Sequence, residues 1–281
     1  MKKMCHLLAM VTMPLIFTGC AANKTEIKLT PDEKRAAPDT EITITIVHDN
    51  NEYDNCLTTA WGFSCVVKLS EETILFDTGG DGIILLSNMA KLGIKPGEID
   101  TVVLSHVHGD HTGGLNEFLK QNSQVTVYVP LSFPQRIKQN IESCGANVME
   151  LHEPQELLEG VFTTGELDGG VREQSLLVRT SKGLVVITGC AHPGILNIVK
   201  RAKEITGGNI YLVTGGFHLA GASPSQINYI AESLCKLGVE KVAPCHCTGD
   251  KARKVFKDYF SENYIESGVG KEIANLVRRP T

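Results

Sequence analysis

Three histidines and one aspartate lie within six consecutive residues, directly after an apolar stretch of the chain. They are His106, His108, Asp110 and His111, and they follow Thr101-Val102-Val103-Leu104. Imidazole and carboxylate groups are ligands of zinc, iron and manganese in proteins. Packing four of these groups together without a metal would leave several polar atoms unpaired, at a large cost in free energy. The cluster therefore predicts a metal site; the alternative is a histidine-rich surface turn.

The spacing within the cluster indicates how these ligands divide. His106 and His108 are two residues apart, so in an extended segment both side chains lie on one side. Asp110 and His111 follow where the chain turns toward a helix at Leu115, and they can face a second point nearby.

Three other apolar stretches also end in a loop that carries histidine or aspartate. These loops are Asp77-Thr78-Gly79-Gly80, Thr188-Gly189-Cys190-Ala191-His192-Pro193-Gly194 and Pro244-Cys245-His246-Cys247. Loops that follow strands are where α/β proteins build ligand and catalytic sites. We therefore expect all four loops to contribute to one site.

The elements that must position these loops are short strands and amphipathic helices in alternation. Hydrophobic periodicity and capping signals predict one α/β domain over residues 42–281. The predicted strands are 42–47, 65–69, 73–76, 101–104, 125–129, 174–179, 184–188, 210–213 and 242–243, and the predicted helices are 83–92, 195–205, 223–237 and 250–259.

Composition excludes several classes of protein. The chain has 281 residues, of which 42% are hydrophobic, and a net charge of −5. These values are typical of a globular protein and argue against a surface that coats nucleic acid, so no nucleic-acid partner is expected. The cysteine count of nine is odd, which excludes a fully paired disulfide framework.

The N-terminus has the order of an export signal. Lys2 and Lys3 precede an apolar run from Leu7 to Phe17, and small residues lead to Cys20. We interpret 1–19 as a lipoprotein signal peptide, Cys20 as the lipidated residue and 20–41 as a polar tether. The protein is then exported and anchored to a bacterial membrane, at the periplasm-facing outer membrane or the cell surface. An ordinary cleaved signal is the alternative.

His-x-His-x-Asp-His after an apolar strand resembles the signature of the metallo-β-lactamase-fold superfamily, and the flanking loops follow in the same order. The resemblance implies a four-layer αββα sandwich with metals at one edge of its two sheets. It implies one metal on His106, His108 and His192, and another on Asp110, His111 and His246. Asp77 would support the loop that holds these ligands. One or two divalent ions are expected, with zinc favoured and iron or manganese as alternatives.

The sequence departs from the family pattern at one loop. Gly216 stands where many members have an aspartate that bridges two metals. No carboxylate can come from this position, so either His218 supplies a ligand or touches the substrate, or one metal position is weak or empty.

Three loop motifs narrow the resemblance to one branch of the superfamily: Gly-Cys-Ala-His-Pro-Gly, Gly-Gly-Phe-His-Leu and Pro-Cys-His-Cys-Thr-Gly. They resemble the branch named 7,8-dihydropterin-6-methyl-4-(β-D-ribofuranosyl)-aminobenzene-5′-phosphate synthase. Cys190, Cys245 and Cys247 crowd these loops, and we expect them to pack behind the ligands, with thiolate ligation of the metal as the alternative. Thr248 is able to hydrogen-bond near the metal. The polar segment 49–54 is interpreted as a solvated turn, with the rim of the pocket as the alternative.

The implied activity is that of a metal-dependent hydrolase acting on an ester, lactone or phosphoester of a small molecule. Asp110 would both ligate the metal and orient its water, and His218 would hydrogen-bond to the substrate or leaving group. Two alternatives remain: an iron-dependent redox enzyme, and a surface metal- or ligand-binding protein without turnover.

Overall fold

The computed structural model describes residues 40–278, and the side chains of residues 41–277. The predicted signal peptide, Cys20 and nearly all of the predicted tether lie outside the described residues. Within the described part of the chain, no helix is both long and apolar enough to cross a membrane.

Thirteen strands in the described residues form two sheets. The first sheet has the order β13-β1-β2-β3-β4-β5-β6, and the second has the order β12-β11-β10-β9-β8-β7. The strands are β1 Thr40–His48, β2 Ser64–Lys68, β3 Thr73–Phe76, β4 Thr101–Val103, β5 Thr126–Pro130, β6 Asn147–Leu151, β7 Gln155–Leu158, β8 Val161–Thr163, β9 Leu176–Thr180, β10 Gly183–Thr188, β11 Ile210–Gly216, β12 Lys241–Cys245 and β13 Glu272–Arg278.

Seven α-helices connect the strands of the described chain. They are α1 Gly82–Lys91, α2 Gly109–Thr112, α3 Leu115–Gln121, α4 Gln135–Ser143, α5 Ile195–Thr206, α6 Pro224–Lys236 and α7 Asp250–Phe260. The predicted start of α6 has its physical cause in a complete capping box, in which Ser223 and Gln226 satisfy each other's backbone N–H groups. The last helix begins at the predicted residue, Asp250, and Gly249 occupies its N-cap.

The layering follows from alternation along buried strands. In β10, Val185 and Ile187 belong to the core between the two sheets, whereas Leu184 and Val186 pack against α5, α6 and α7. In β4, Val103 faces the core between the sheets, and its neighbours pack against the helices on the other side. Three apolar cores therefore separate four layers, which confirms the predicted αββα sandwich.

The loops that the sequence singled out all leave the sheets at one edge. β3, β4, β5 and β6 run parallel in the first sheet, and β10, β11 and β12 run parallel in the second. The carboxyl ends of parallel strands meet at one edge of a sheet, so this topology brings the loops after β3, β4, β10, β11 and β12 together.

Candidate metal centre

The first group of possible ligands consists of imidazoles. The ligand atoms of His106, His108 and His192 all lie within 4.8 Å of one another. Nε2 of His106 is 3.1 Å from Nδ1 of His108, and the ring centroids of His108 and His192 are 4.9 Å apart. The structure thus brings together the three histidines that the family resemblance assigned to one metal.

The second group is chemically mixed. It contains Asp110, His111 and His246, again as the sequence grouped them, and also Cys190, with ligand atoms within 4.8 Å of one another. Oδ2 of Asp110 lies 3.4 Å from Nε2 of His246, and Sγ of Cys190 lies 3.2 Å from Nε2 of His111. From the sequence, Cys190 is expected behind the ligands, whereas in the structure its sulfur lies among the possible ligand atoms.

Asp77 orients two of the imidazoles from beneath. This fully buried carboxylate accepts hydrogen bonds from the backbone N–H and the hydroxyl of Ser105, each at 2.7 Å, and it contacts Nδ1 of His111 at 2.7 Å. The Ser105 hydroxyl in turn lies 2.9 Å from Nδ1 of His106. With both Nδ1 atoms engaged in this way, the Nε2 atoms of both rings point toward the ligand groups.

The start of the domain supports the last histidine, which the sequence analysis did not foresee. Nδ1 of His246 lies 2.9 Å from Oδ1 of Asn50, and its backbone N–H donates to Asp49 at 3.2 Å. Asp49 is fully buried, so the interpretation of this segment as a solvated turn is wrong at this residue. Burial raises the pKa of its carboxyl group, against the opposing hydrogen bond from Asn51.

A second buried carboxylate holds the loop after β10. Glu173 accepts the backbone N–H groups of Cys190 and Ala191 at 2.9 Å and that of His192 at 2.8 Å. A single side chain, only 1% exposed, therefore fixes three consecutive backbone N–H groups of this loop. Glu173 stands outside the family motifs, and no local pattern in the sequence marks it.

The end of β11 has no room for the aspartate that many family members carry there. A Cβ atom added to Gly216 would meet the Gly189 carbonyl oxygen at 2.5 Å and Sγ of Cys247 at 2.6 Å. Any side chain at this position would collide with backbone, so the space is closed to a bridging carboxylate. The sulfur of Cys247 lies next to the position that such a side chain would occupy.

His218 lies beside the first group and within a third one. Its ring centroid is 4.5 Å from that of His192, and its ligand atom lies within 4.8 Å of the sulfurs of Cys190 and Cys247. A hydrogen bond with Cys247 raises the pKa of His218. The hydrogen bond from Cys190 and the contact with His218 lower the pKa of Cys247 to about 4.

Cys245 and Thr248 are close to the centre but outside all three groups. Cys245 is fully buried in the core between the sheets. The hydroxyl of Thr248 donates to the Cys245 carbonyl at 2.7 Å and accepts the Phe217 N–H at 3.0 Å. Thr248 thus ties the loop after β12 to the loop that carries His218.

The ionisation of the site suits metal binding at neutral pH. Burial and the neighbouring His218 and His108 lower the pKa of His192 to about 4. Burial and His111 also lower the pKa of His106 far below its ordinary value. Partial burial disfavours the charge of Asp110, yet His246 and His111 hold its pKa well below the usual range. The imidazoles of His106 and His192 are then neutral and the carboxylate of Asp110 is charged, which is the form in which each binds a metal.

Unpaired polar atoms at the centre fit a cation. Among the described residues, Nε2 of His192 and Nε2 of His246 are buried without a hydrogen-bond partner. Unsatisfied buried nitrogens are costly in a folded protein unless a bound group pairs with them. The donor set and these two buried nitrogens therefore fit one or two divalent metal ions.

Backbone strain is concentrated at the same loops. Asp77, Ala191, His218 and His246 have positive φ angles of 57°, 59°, 54° and 48°, a conformation that favours glycine. Each such residue costs on the order of 1–3 kcal/mol and persists where the surroundings enforce it. All four flank or supply the ligand groups, as expected for a functional site.

An apolar pocket of about 890 Å³ opens next to the third group. His218 and Cys247 line one side, and the remaining wall includes Trp61, Leu219 and Tyr229. Trp61 also packs on His246, with ring centroids 4.9 Å apart, and its side chain is 58% exposed. The pocket therefore joins an apolar and aromatic surface to the ligand groups.

Comparison with known proteins gives a consistent result. A family model described as the metallo-beta-lactamase superfamily matches residues 62–246. The chain is similar to the 7,8-dihydropterin-6-methyl-4-(beta-D-ribofuranosyl)-aminobenzene-5'-phosphate synthase of Methanocaldococcus jannaschii, with 32% identity over 278 residues, covering 82% of this chain and 95% of the relative.

Two solved structures resemble the fold. A metal-dependent hydrolase of the beta-lactamase superfamily superposes with a TM-score of 0.71 at 30% identity, covering 83% of this chain and 98% of the other. YhfI, a metallo-beta-lactamase fold protein from Bacillus subtilis, superposes with a TM-score of 0.64, covering 84% of this chain and 100% of its own. Its identity is 14%, so this likeness concerns the fold alone.

Proposed function

Because the chain belongs to the metallo-β-lactamase superfamily, we propose that it is a hydrolase that uses metal-activated water to cleave a small-molecule ester, lactone or phosphoester. One observation carries the proposal: two adjoining groups of ligand atoms are connected, through His218 and Cys247, to a pocket that can hold a substrate. Zinc is the proposed metal, since imidazole and carboxylate suit it and its water becomes acidic near neutral pH.

The ligands divide between two positions. His106, His108 and His192 would hold one ion, and Asp110, His111 and His246 would hold the other. A bound ion supplies hydroxide at neutral pH and polarises the substrate oxygen. Support for these positions comes from the orienting contacts of Asp77 and Asn50 and from the two unpaired Nε2 atoms.

Two side chains are placed to act on water and substrate. The carboxylate of Asp110 is 20% exposed, so it can accept a hydrogen bond from the attacking water and orient it. The exposed imidazole of His218 lies beside His192 on the wall of the pocket and can donate to the substrate or leaving oxygen. Addition of water breaks the ester bond, and its proton passes to the leaving oxygen.

The pocket indicates the kind of substrate. Its lining includes Trp61, Leu196, Tyr229 and Ile230, which favour an apolar or aromatic group next to the scissile bond. The relative from Methanocaldococcus jannaschii is named for a product that contains an aminobenzene ring and a 5'-phosphate. We therefore propose aryl esters and aryl phosphoesters as the first substrates to examine.

The test is hydrolysis of a panel of aryl acetates, aryl phosphodiesters and aryl-substituted lactones with defined metals. His108→Ala should lose at least about 100-fold in rate, because even a residue that only supports a ligand costs 10- to 100-fold. His152→Ala is the control, since this side chain is 51% exposed and contacts Glu166 away from the centre. Equal rates for His108→Ala and the native chain, or full activity without metal, would contradict the proposal.

We also propose that a lipid on Cys20 anchors the exported protein to a bacterial membrane. The charged start, the apolar run and the small residues before Cys20 support this. Cys20→Ser should move the protein from the membrane to the soluble fraction. An unchanged distribution between the membrane and soluble fractions would contradict the proposed lipid anchor.

A further inference from the structure

We propose that Cys190 and Cys247 are metal ligands: together with His218 they form a third, thiolate-containing position, and Cys190 also joins the position of Asp110, His111 and His246. The inference rests on the metal centre of the proposed function and adds sulfur to its ligand set. Its occupant is a thiophilic divalent ion such as zinc, iron(II) or cobalt(II).

Geometry places one sulfur in two groups at once. The ligand atoms of Cys190, His218 and Cys247 lie within 4.8 Å of one another, and those of Cys190, Asp110, His111 and His246 do so as well. Cys190 is therefore the residue that the two groups share. Cys190 could therefore bridge an ion in the mixed position and an ion in the third position.

The closed space at Gly216 leaves sulfur as the anionic ligand available on this side of the centre. A side chain at residue 216 would strike the Gly189 carbonyl and the Cys247 sulfur. The loop after β11 therefore cannot contribute a carboxylate, and Cys247 approaches from the neighbouring loop after β12. Two thiolates would restore the negative charge that the centre lacks without an aspartate.

The backbone around both sulfurs is fixed in advance. Glu173 holds the N–H of Cys190 at 2.9 Å, and the Cys247 carbonyl accepts the Ala220 N–H at 3.2 Å. His218 is held in a left-handed conformation, with φ of 54°. Ligands that are positioned before binding lose little conformational freedom when a metal arrives.

The cysteines of the described chain divide into two kinds. Cys190 and Cys247 are 3% and 6% exposed and lie among imidazole nitrogens. Cys245 is equally buried and two residues from Cys247, yet it belongs to none of the ligand groups and lies in the apolar core. This difference makes Cys245 the matched control for burial and sequence position.

The experiment uses the full-length protein, purified without oxygen and titrated with cobalt(II). Thiolate ligation gives cobalt(II) an intense near-ultraviolet charge-transfer band that imidazole and carboxylate do not give. The native chain and Cys245→Ser should show this band. Cys190→Ser and Cys247→Ser should each lose part of it, and the double variant should lose it while the histidines still bind cobalt.

X-ray absorption at the zinc edge of the native, zinc-loaded protein keeps the test independent of variant folding. A sulfur neighbour at about 2.3 Å is expected. Metal bound with nitrogen and oxygen neighbours alone would overturn the inference and leave the proposed hydrolase standing. A charge-transfer band that persists in the double variant would also overturn it. Failure to bind any metal would instead remove the proposed function together with this inference.

Discussion

The two groups that the family resemblance predicted differ in chemistry and in the way their side chains are held. The group of His106, His108 and His192 offers nitrogen ligands, whereas the group around Asp110 combines imidazole, carboxylate and thiol. In the mixed group, Asp77 and Asn50 contact the Nδ1 atoms of its imidazoles directly. In the imidazole group, support is less direct and passes through the Ser105 hydroxyl and the backbone of His192.

The two metal positions use different ligands, yet they depend on shared supporting residues. Asp77 touches His111 directly and reaches His106 through Ser105. Glu173 holds the loop that supplies Cys190 to one group and His192 to the other. Asn50 contacts His246, which belongs to the mixed group. Variants of Asp77 should therefore affect both positions. Variants of Glu173 should affect both positions more weakly, and variants of Asn50 should affect one position.

The largest effect is expected for Asp77→Asn. An amide cannot accept all three hydrogen bonds that the buried carboxylate accepts, so both His111 and Ser105 lose a partner. We expect metal affinity at both positions to fall by about 100-fold and the free energy of unfolding to fall by about 3 kcal/mol. Competition against a chromophoric chelator measures the first and urea unfolding the second.

The control for this variant is Asp100→Asn, whose carboxylate accepts the Thr73 N–H at the surface. It should leave both metal affinities unchanged. If Asp77→Asn lowered metal affinity at the mixed position alone, Ser105 would orient His106 without help from Asp77.

An intermediate effect is expected for Glu173→Gln. The neutral amide keeps one acceptor oxygen for three N–H groups, so the loop carrying Cys190 and His192 loosens. Affinity at both positions should fall by about 10-fold. Glu156→Gln is the matched control, because Glu156 accepts the Gly160 N–H in a hairpin away from the centre. Chelator competition that finds no change at either position would mean that the loop holds its shape by itself.

The smallest effect is expected for Asn50→Ala. The variant removes the contact at Nδ1 of His246 and leaves every ligand in place. Affinity should fall by about 10-fold at the mixed position only. Asn140→Ala, which removes an exposed contact with Asn116, serves as control. An equal loss at both positions would break the distinction between the two groups.

Much of the fold was predictable because its signals are local. β3 has the predicted bounds, Thr73–Phe76, since a short apolar run follows a polar turn. The capping box before α6 and the apolar periodicity of α5 set those helices. The strands between 147 and 163 and the last strand, 272–278, were not predicted. β6 and β7 are largely exposed and carry mixed residues, so neither shows the alternation that marks a half-buried strand.

The clustering of the histidines was predictable because motif spacing carries their chemistry, but the side chains that support them were not. Asn50 meets His246 across 196 residues of sequence, and Glu173 meets Cys190 across 17. No periodicity links such pairs, since only the packed fold brings them together. The placement of Cys190 among the possible ligands was the less favoured alternative for the same reason: its neighbours His111 and His246 lie on other loops.

The ligands of each group come from both sheets, and this has a consequence for the life of the protein. His106 and His108 follow β4 of the first sheet, whereas His192 follows β10 of the second. A bound ion would cross-link the two halves of the sandwich at their open edge. An ion present at about 100 times its dissociation constant adds about 2.7 kcal/mol to the folded state. Metal scarcity would then shorten the lifetime of the chain through proteolysis, before any substrate is involved.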